Sequence, residues 1–144
     1  MAVKPVPEGY STVSPYLIGR DATKTIDLMV RAFGATEKFR SMRPDGTVGH
    51  AEVRIGDSTI MVADASPDVP AMPATVHVYV ADVDASYRRA LAAGATSVRE
   101  PADQFYGDRN AGVKDHAGNQ WWLATHKEDL TAEEIQRRAE QAMK

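Results

Sequence analysis

The sequence predicts an α+β fold: two βαβββ modules forming a curved, half-barrel-like mixed sheet with helices outside, plus a C-terminal helix. Three observations predict it. "RAFGAT" (31–36) returns as "LAAGAT" (91–96). Upstream of each copy stand an apolar run, an aspartate and a segment of helical spacing, and downstream of each the apolar period becomes two. Between the copies lies "ASPDVPAMPA" (65–74), whose three prolines mark a linker.

The elements follow in order. Residues 1–10 are an N-terminal extension, and 11–64 form the first module. "STVSPYLI" supplies its first strand. Asp21 is placed as the N-cap of a helix whose stripe is Ile26, Met29, Val30 and Phe33, ended by Gly34. "TEKFRSM" and "VGHAEVRIGDSTIMVAD" then give three strands, with turns at "PDG" and "GDS". The second module, 75–126, repeats this grammar. "TVHVYVAD" leads to Asp82, then to a helix striped by Val83, Tyr87, Ala90 and Leu91 and closed by Gly94. "ATSVREP", "GDRNAGVKD" and "NQWWLAT" are its remaining strands, with "DHAG" as the last turn. In the tail, 127–144, Thr131 and Glu134 have capping-box spacing and start a helix near Ala132.

Composition limits function. A 144-residue chain, 43% apolar and 26% charged, buries enough surface to need no disulfide or structural metal. With no cysteine, thiol chemistry is excluded. A net charge of −3 without basic runs leaves no footprint for nucleic acid or an anionic membrane. No segment has the apolar length of a signal peptide or a membrane span, so a cytoplasmic location is the expectation.

Strand parity sorts the side chains. The alternate positions Pro15/Leu17, Ala51/Val53/Ile55, Val76/Val78/Val80 and Trp121/Leu123 are suited to pack under helices. The opposite positions collect Tyr16, His50, Glu52, Arg54, His77, Tyr79, Gln120 and Trp122, a set fit to line a ligand cavity. Trp121 is therefore the core indole and Trp122 the cavity indole.

The paired modules, together with "RAFGAT", "HAEVRIGDSTIMVAD", "QFYGDRNAGVKDHAGNQWWLATH" and "EDLTAEE", resemble the glyoxalase/bleomycin-resistance/dioxygenase superfamily, the vicinal oxygen chelate fold, and within it the PhnB-like branch. The resemblance covers roughly residues 10–135 and implies a homodimer with two shared sites. It also implies where metal ligands would stand. Ser14 and Thr75 take the places of the first-strand ligands, Met61 or a neighbour ends the first module, and Trp122 replaces a glutamate. A hydroxyl is a weak ligand, a thioether prefers soft copper, and an indole coordinates nothing. No metal is therefore expected, and Trp122 becomes a stacking wall.

The expected binding set is Tyr16, His50, Glu52, His77, Tyr79, Tyr106, Arg109 and Trp122, holding a planar or apolar small molecule. The alternative is a lyase, isomerase or dioxygenase with a divalent ion on His50, Glu52 and His77, the ingredients of a facial triad. Each residue has a plainer role beside it. In that plainer reading the histidines line the cavity as polar walls, Glu52 and Arg54 pair at a sheet edge, and Asp108 with Arg109 fixes the loop that Tyr106 begins. His116 is expected to be exposed in its turn and His126 to belong to the chain exit.

Overall fold

A computed structural model describes residues 2–143. The chain runs β1 (Tyr16–Gly19), α1 (Ala22–Phe33), β2 (Thr36–Met42), β3 (Val48–Ile55), β4 (Ser58–Asp64), β5 (Thr75–Tyr79), α2 (Val83–Ala92), β6 (Thr96–Asp103), β7 (Asp108–Lys114), β8 (Gln120–His126) and α3 (Ala132–Ala142). The strands form two four-stranded mixed sheets, ordered β1-β4-β3-β2 and β5-β8-β7-β6. In each, the first strand is parallel to the last and the other neighbours are antiparallel. One topology drawn twice is the structural form of the sequence repeat.

The modules are joined by helices, not by strand pairing. α1 packs on its own sheet and also on α2. Phe33, at the end of α1, lies 5.2 Å from the Trp121 ring of β8. This double duty changes the α1 stripe from the one its sequence predicts. Thr25, Ile26, Leu28 and Met29 are buried while Val30 is exposed, because a helix held between a sheet and another helix buries two adjoining faces. On α2 the buried set is Val83, Ser86, Tyr87 and Ala90, and Leu91 turns outward. Gly34 ends α1 in the left-handed conformation, as a C′ glycine does.

Capping departs from the sequence expectation in one module only. The Asp82 carboxylate accepts from Ala85 N at 3.1 Å. Asp21 has φ 54 and makes no side-chain cap bond. Its role passes to Asp64 at the end of β4, which accepts from Ala22 N at 2.8 Å and Val48 N at 2.7 Å. At the matching place in the second module, Thr125 Oγ1 accepts from Val83 N at 2.9 Å and donates to Val80 O. Both helices thus have their first amide satisfied from the last strand of their own module. The backbone at Asp21 is also held from outside: His116 Nε2–H donates to Arg20 O at 2.8 Å and Asp21 O at 3.1 Å. His116 is exposed in its turn, but it is a tie between modules rather than a free side chain.

α3 begins at Ala132, where the Thr131 hydroxyl accepts from Glu134 N at 3.1 Å. It buries no residue and is tied to the body by Arg138, which donates to Phe105 O and to Glu128. No helix of the described residues is long and apolar enough to cross a membrane.

Candidate functional site

Each sheet has one face against the helices and one open face, and the candidate side chains occupy the open faces. On the first sheet, the register aligns Tyr16, Met61, Glu52 and Phe39 across four strands, with His50 opposite Ser41 alongside. A hydrogen-bonded chain crosses this face. The Tyr16 hydroxyl donates to His50 Nδ1 at 2.7 Å, and His50 Nε2–H donates to Glu52 Oε2 at 2.9 Å. Glu52 Oε1 accepts from the Tyr10 hydroxyl of the N-terminal extension. These bonds, Tyr10 first and His50 second, hold the Glu52 carboxyl below the usual carboxylate range. Arg54 is committed to Gly9 O at 2.7 Å, so Glu52 and Arg54 both bind the extension and not each other.

On the second sheet, one row across the strands reads Tyr79, Ala124, Asn110, Ala102, and the next reads His77, Trp122, Gly112, Arg99. Large rings lie over small residues. Trp122 covers Gly112 so closely that a Cβ there would sit 2.7 Å from Trp122 Cζ3, so glycine lets the indole lie flat. The Arg99 guanidinium lies over that indole, 5.1 Å from the ring centroid. Tyr79 sits opposite fully buried Ala124, and its hydroxyl reaches β7 to donate to Asp108 Oδ2 at 3.0 Å. His77 lies 4.8 Å from the Tyr79 ring. Tyr79 is 63% exposed and His77 is exposed as well, so this surface is uncovered within the chain.

Asp108, buried at the end of β7, also accepts from His126 Nδ1–H at 2.8 Å, and His126 Nε2–H donates to Asp129 at 2.7 Å. With both nitrogens donating to carboxylates, the imidazolium is favoured. Asp108 first and Asp129 second raise the His126 pKa above its ordinary 6.5. The hydrogen bond to Asp108 likewise raises the Tyr79 phenol. His126 is thus more than a chain exit: it ties the tail to the end of the platform. The sign of the linkage follows. A pKa raised by folding adds stability that is full below 6.5 and is lost as pH rises through the folded value. We expect the wild-type melting temperature to fall toward that of His126→Gln between neutral and mildly alkaline pH. Parallel melting curves across that range, showing a constant gap, would exclude this bridge.

Tyr106 and Asn110 meet beside this cluster, with Asn110 Nδ2 donating to Tyr106 Oη at 2.6 Å. Asn110 Oδ1 is buried without a partner among the described residues. Arg109 falls on the other side of β7. It forks onto Asp84 of α2 at 2.8 and 3.0 Å and reaches Asp103 at 3.3 Å, which lowers the Asp84 pKa. The structure therefore brings together Tyr16, His50 and Glu52 on one face, and His77, Tyr79, Trp122 and Tyr106 on the other, and sends Arg109 to the helix layer. Strand parity alone carried the signal for Arg109, since it alternates with Asp108 and Asn110. Arg99 and His126 were missed as site residues, and Asp108, expected to pair with Arg109, instead holds Tyr79 and His126. Parity also placed His126 beside Trp122 and Ala124, but a residue ending a strand is easily assigned to the exit.

A cleft of about 590 Å³ runs along the free edge of β5. Val13, Pro15, Phe33 and Ile60 of the first module face Val76 and Tyr79 across it. The donors do not assemble a metal site in this chain. Both His50 nitrogens are engaged by Tyr16 and Glu52, and His77 lies on the other sheet. Among the described residues no three His, Cys, Asp or Glu side chains cluster for a cation. Ser14, Thr75, Met61 and Trp122, where the resemblance places the ligands, carry weak metal donors or none.

A profile of the Glyoxalase/Bleomycin resistance protein/Dioxygenase superfamily matches residues 12–123. The chain belongs to this superfamily. TioX from Micromonospora sp. ML1 is similar in structure, with TM-score 0.67 and 30% identity over 81% of this chain and 98% of that one. The uncharacterized protein Mb0911c of Mycobacterium bovis is 41% identical over 138 residues, 86% of this chain and 89% of its own length. The fosfomycin resistance protein FosX from Mesorhizobium loti shares the fold, with TM-score 0.60 at 17% identity over 81% of this chain and 92% of that one. The superfamily's folding unit thus accounts for the two sheets, and a fold of this breadth leaves the ligand to the side chains.

Proposed function

We propose that this chain is a small-molecule-binding protein of the glyoxalase/bleomycin-resistance type, of the PhnB-like branch. It seats a planar aromatic compound without a resident metal, and so sequesters a toxic or antibiotic molecule in the cytoplasm. The observation that supports this most is the second sheet's open face. Trp122, Tyr79 and His77 are held over it by Gly112, Ala124 and Asp108; Tyr79 and His77 are exposed, and Trp122 is half-buried beneath Arg99. Rings fixed in this way present apolar area at little entropic cost.

The covering surface is the first sheet of a second copy. Tyr16, 44% exposed, and Phe39, 51% exposed, supply its aromatic wall, while His50 and Glu52 supply polar groups. A two-fold homodimer built this way has two equivalent cavities, each closed by one face from each protomer. Tyr16 and Phe39 on the first sheet and Tyr79 on the second are exposed, which suits that arrangement.

Titration with a neutral bicyclic probe, 2-naphthamide, is expected to raise the melting temperature and quench indole emission, with Trp121 as a buried internal reference. Trp122→Ala is expected to weaken binding about tenfold or more. A wild-type protein that shows no response to any aromatic probe overturns the reading. A divalent ion at one per chain after dialysis, lost in His77→Ala, replaces it with a metal-dependent lyase, isomerase or dioxygenase.

A further inference from the structure

We infer that the natural ligand is an aromatic carboxylate, and that Arg99 is the residue that receives its charge. The inference deepens the binding reading above and rests on it. Four arginines stand on the strands of the two sheets, and three are already engaged: Arg40 binds Glu37 and Thr23. Arg54 is spent on Gly9 O, and Arg109 on Asp84 and Asp103. Arg99 has no hydrogen-bond or ion-pair partner among the described residues, and its guanidinium is laid on the Trp122 ring.

Stacking fixes the plane of a guanidinium without consuming its N–H groups. A guanidinium held in this way keeps its N–H groups for an acceptor, and its planar fork matches a carboxylate. No carboxylate on either open face competes for them. Asp108 is held by Tyr79 and His126, and Glu52 by Tyr10 and His50, and neither bonds Arg99. The platform therefore offers rings for an aromatic body and, beside them, a positioned cation without a counter-charge. Binding a neutral aromatic leaves that cation unused, whereas an aromatic acid uses both.

The test is calorimetric titration of the full chain with two isosteric probes, 2-naphthoate and 2-naphthamide. In wild type the acid is expected to bind about tenfold tighter or more, the range of a charge-assisted fork. Arg99→Met, an exposed substitution that keeps the stem, is expected to bring the two affinities within about twofold while 2-naphthamide binding persists. Arg99→Lys is expected to keep part of the preference, since it keeps the charge and loses the fork. Equal affinities in wild type, or an acid preference that survives in Arg99→Met, overturn the inference and leave the aromatic-binding reading standing. Failure of both probes to bind wild type overturns that reading, and this inference with it.

Discussion

Asp115→Ala is expected to destabilise the protein by about 3 kcal/mol or more, a loss of roughly 10 °C in melting temperature. Four donors converge on this one buried carboxylate. Oδ1 accepts from Ala117 N and Asn119 N, both at 2.9 Å, and Oδ2 accepts from Asn119 Nδ2 and Trp121 Nε1, both at 3.0 Å. Asn119 in turn accepts from Ala74 N at 2.8 Å, so the linker is tied to the same knot. Removing the carboxylate strands an indole N–H that is wholly inside the protein. An unpaired buried donor costs more than an average hydrogen bond contributes. A double-mutant cycle isolates the indole's part: in a Trp121→Phe background, Asp115→Ala is expected to cost measurably less. Chemical denaturation checks both numbers. A loss below about 1 kcal/mol would mean that water replaces the carboxylate and that the turn does not depend on it.

The same knot explains why two adjacent tryptophans behave differently. Asp115 pins the Trp121 indole under the helices, where Phe33 of the other module packs against it. Alternation then forces Trp122 to the opposite side. That division was legible in the sequence, because period two needs only one anchored residue to set the parity of a strand. The repeat, the linker and the start of α3 were legible for similar reasons, since each rests on local chemistry of caps, turns and periods. The α1 stripe was legible only in part: Ile26 and Met29 are buried and Phe33 packs on the core, but Val30 is exposed. The burial of this helix is set by α2, and no pattern within one helix reports a second partner. The cap from Asp64 was hidden for the same reason, lying 42 residues from the amide it serves. The site was half legible. Parity chose the faces but not their relation, and it left open whether they meet within one chain or across a dimer. The structure leaves the strands of the two sheets unpaired and packs the modules together through their helices. Arg99 escaped notice because its value depends on Gly112, one strand away, allowing Trp122 to lie down beneath it.

If each cavity takes one face from each protomer, inactive chains should repair one another. A variant with Tyr16→Ala and His50→Ala damages only the first face, and Trp122→Ala damages only the second. Either alone is expected to lose most binding of a bicyclic aromatic probe, because both homodimers carry a damaged face in every cavity. Mixing them after exchange of protomers gives a heterodimer with one cavity damaged twice and one cavity intact. With random assortment about half the dimers are mixed, so about a quarter of wild-type sites return, at wild-type affinity. Calorimetric stoichiometry reads this directly, and affinity tags on the two chains purify the heterodimer to about one site per dimer. Cavities built inside single chains would behave differently. Mixing would then recover no site at all, since every chain in the mixture would carry its own damage. The first variant loses the Tyr16–His50–Glu52 chain, but the bonds of Asp64, Asp108 and Asp115 that hold the modules are untouched and the altered rings are exposed or half-buried. The restored fraction therefore reports which protomer supplies each wall rather than how well the variants fold.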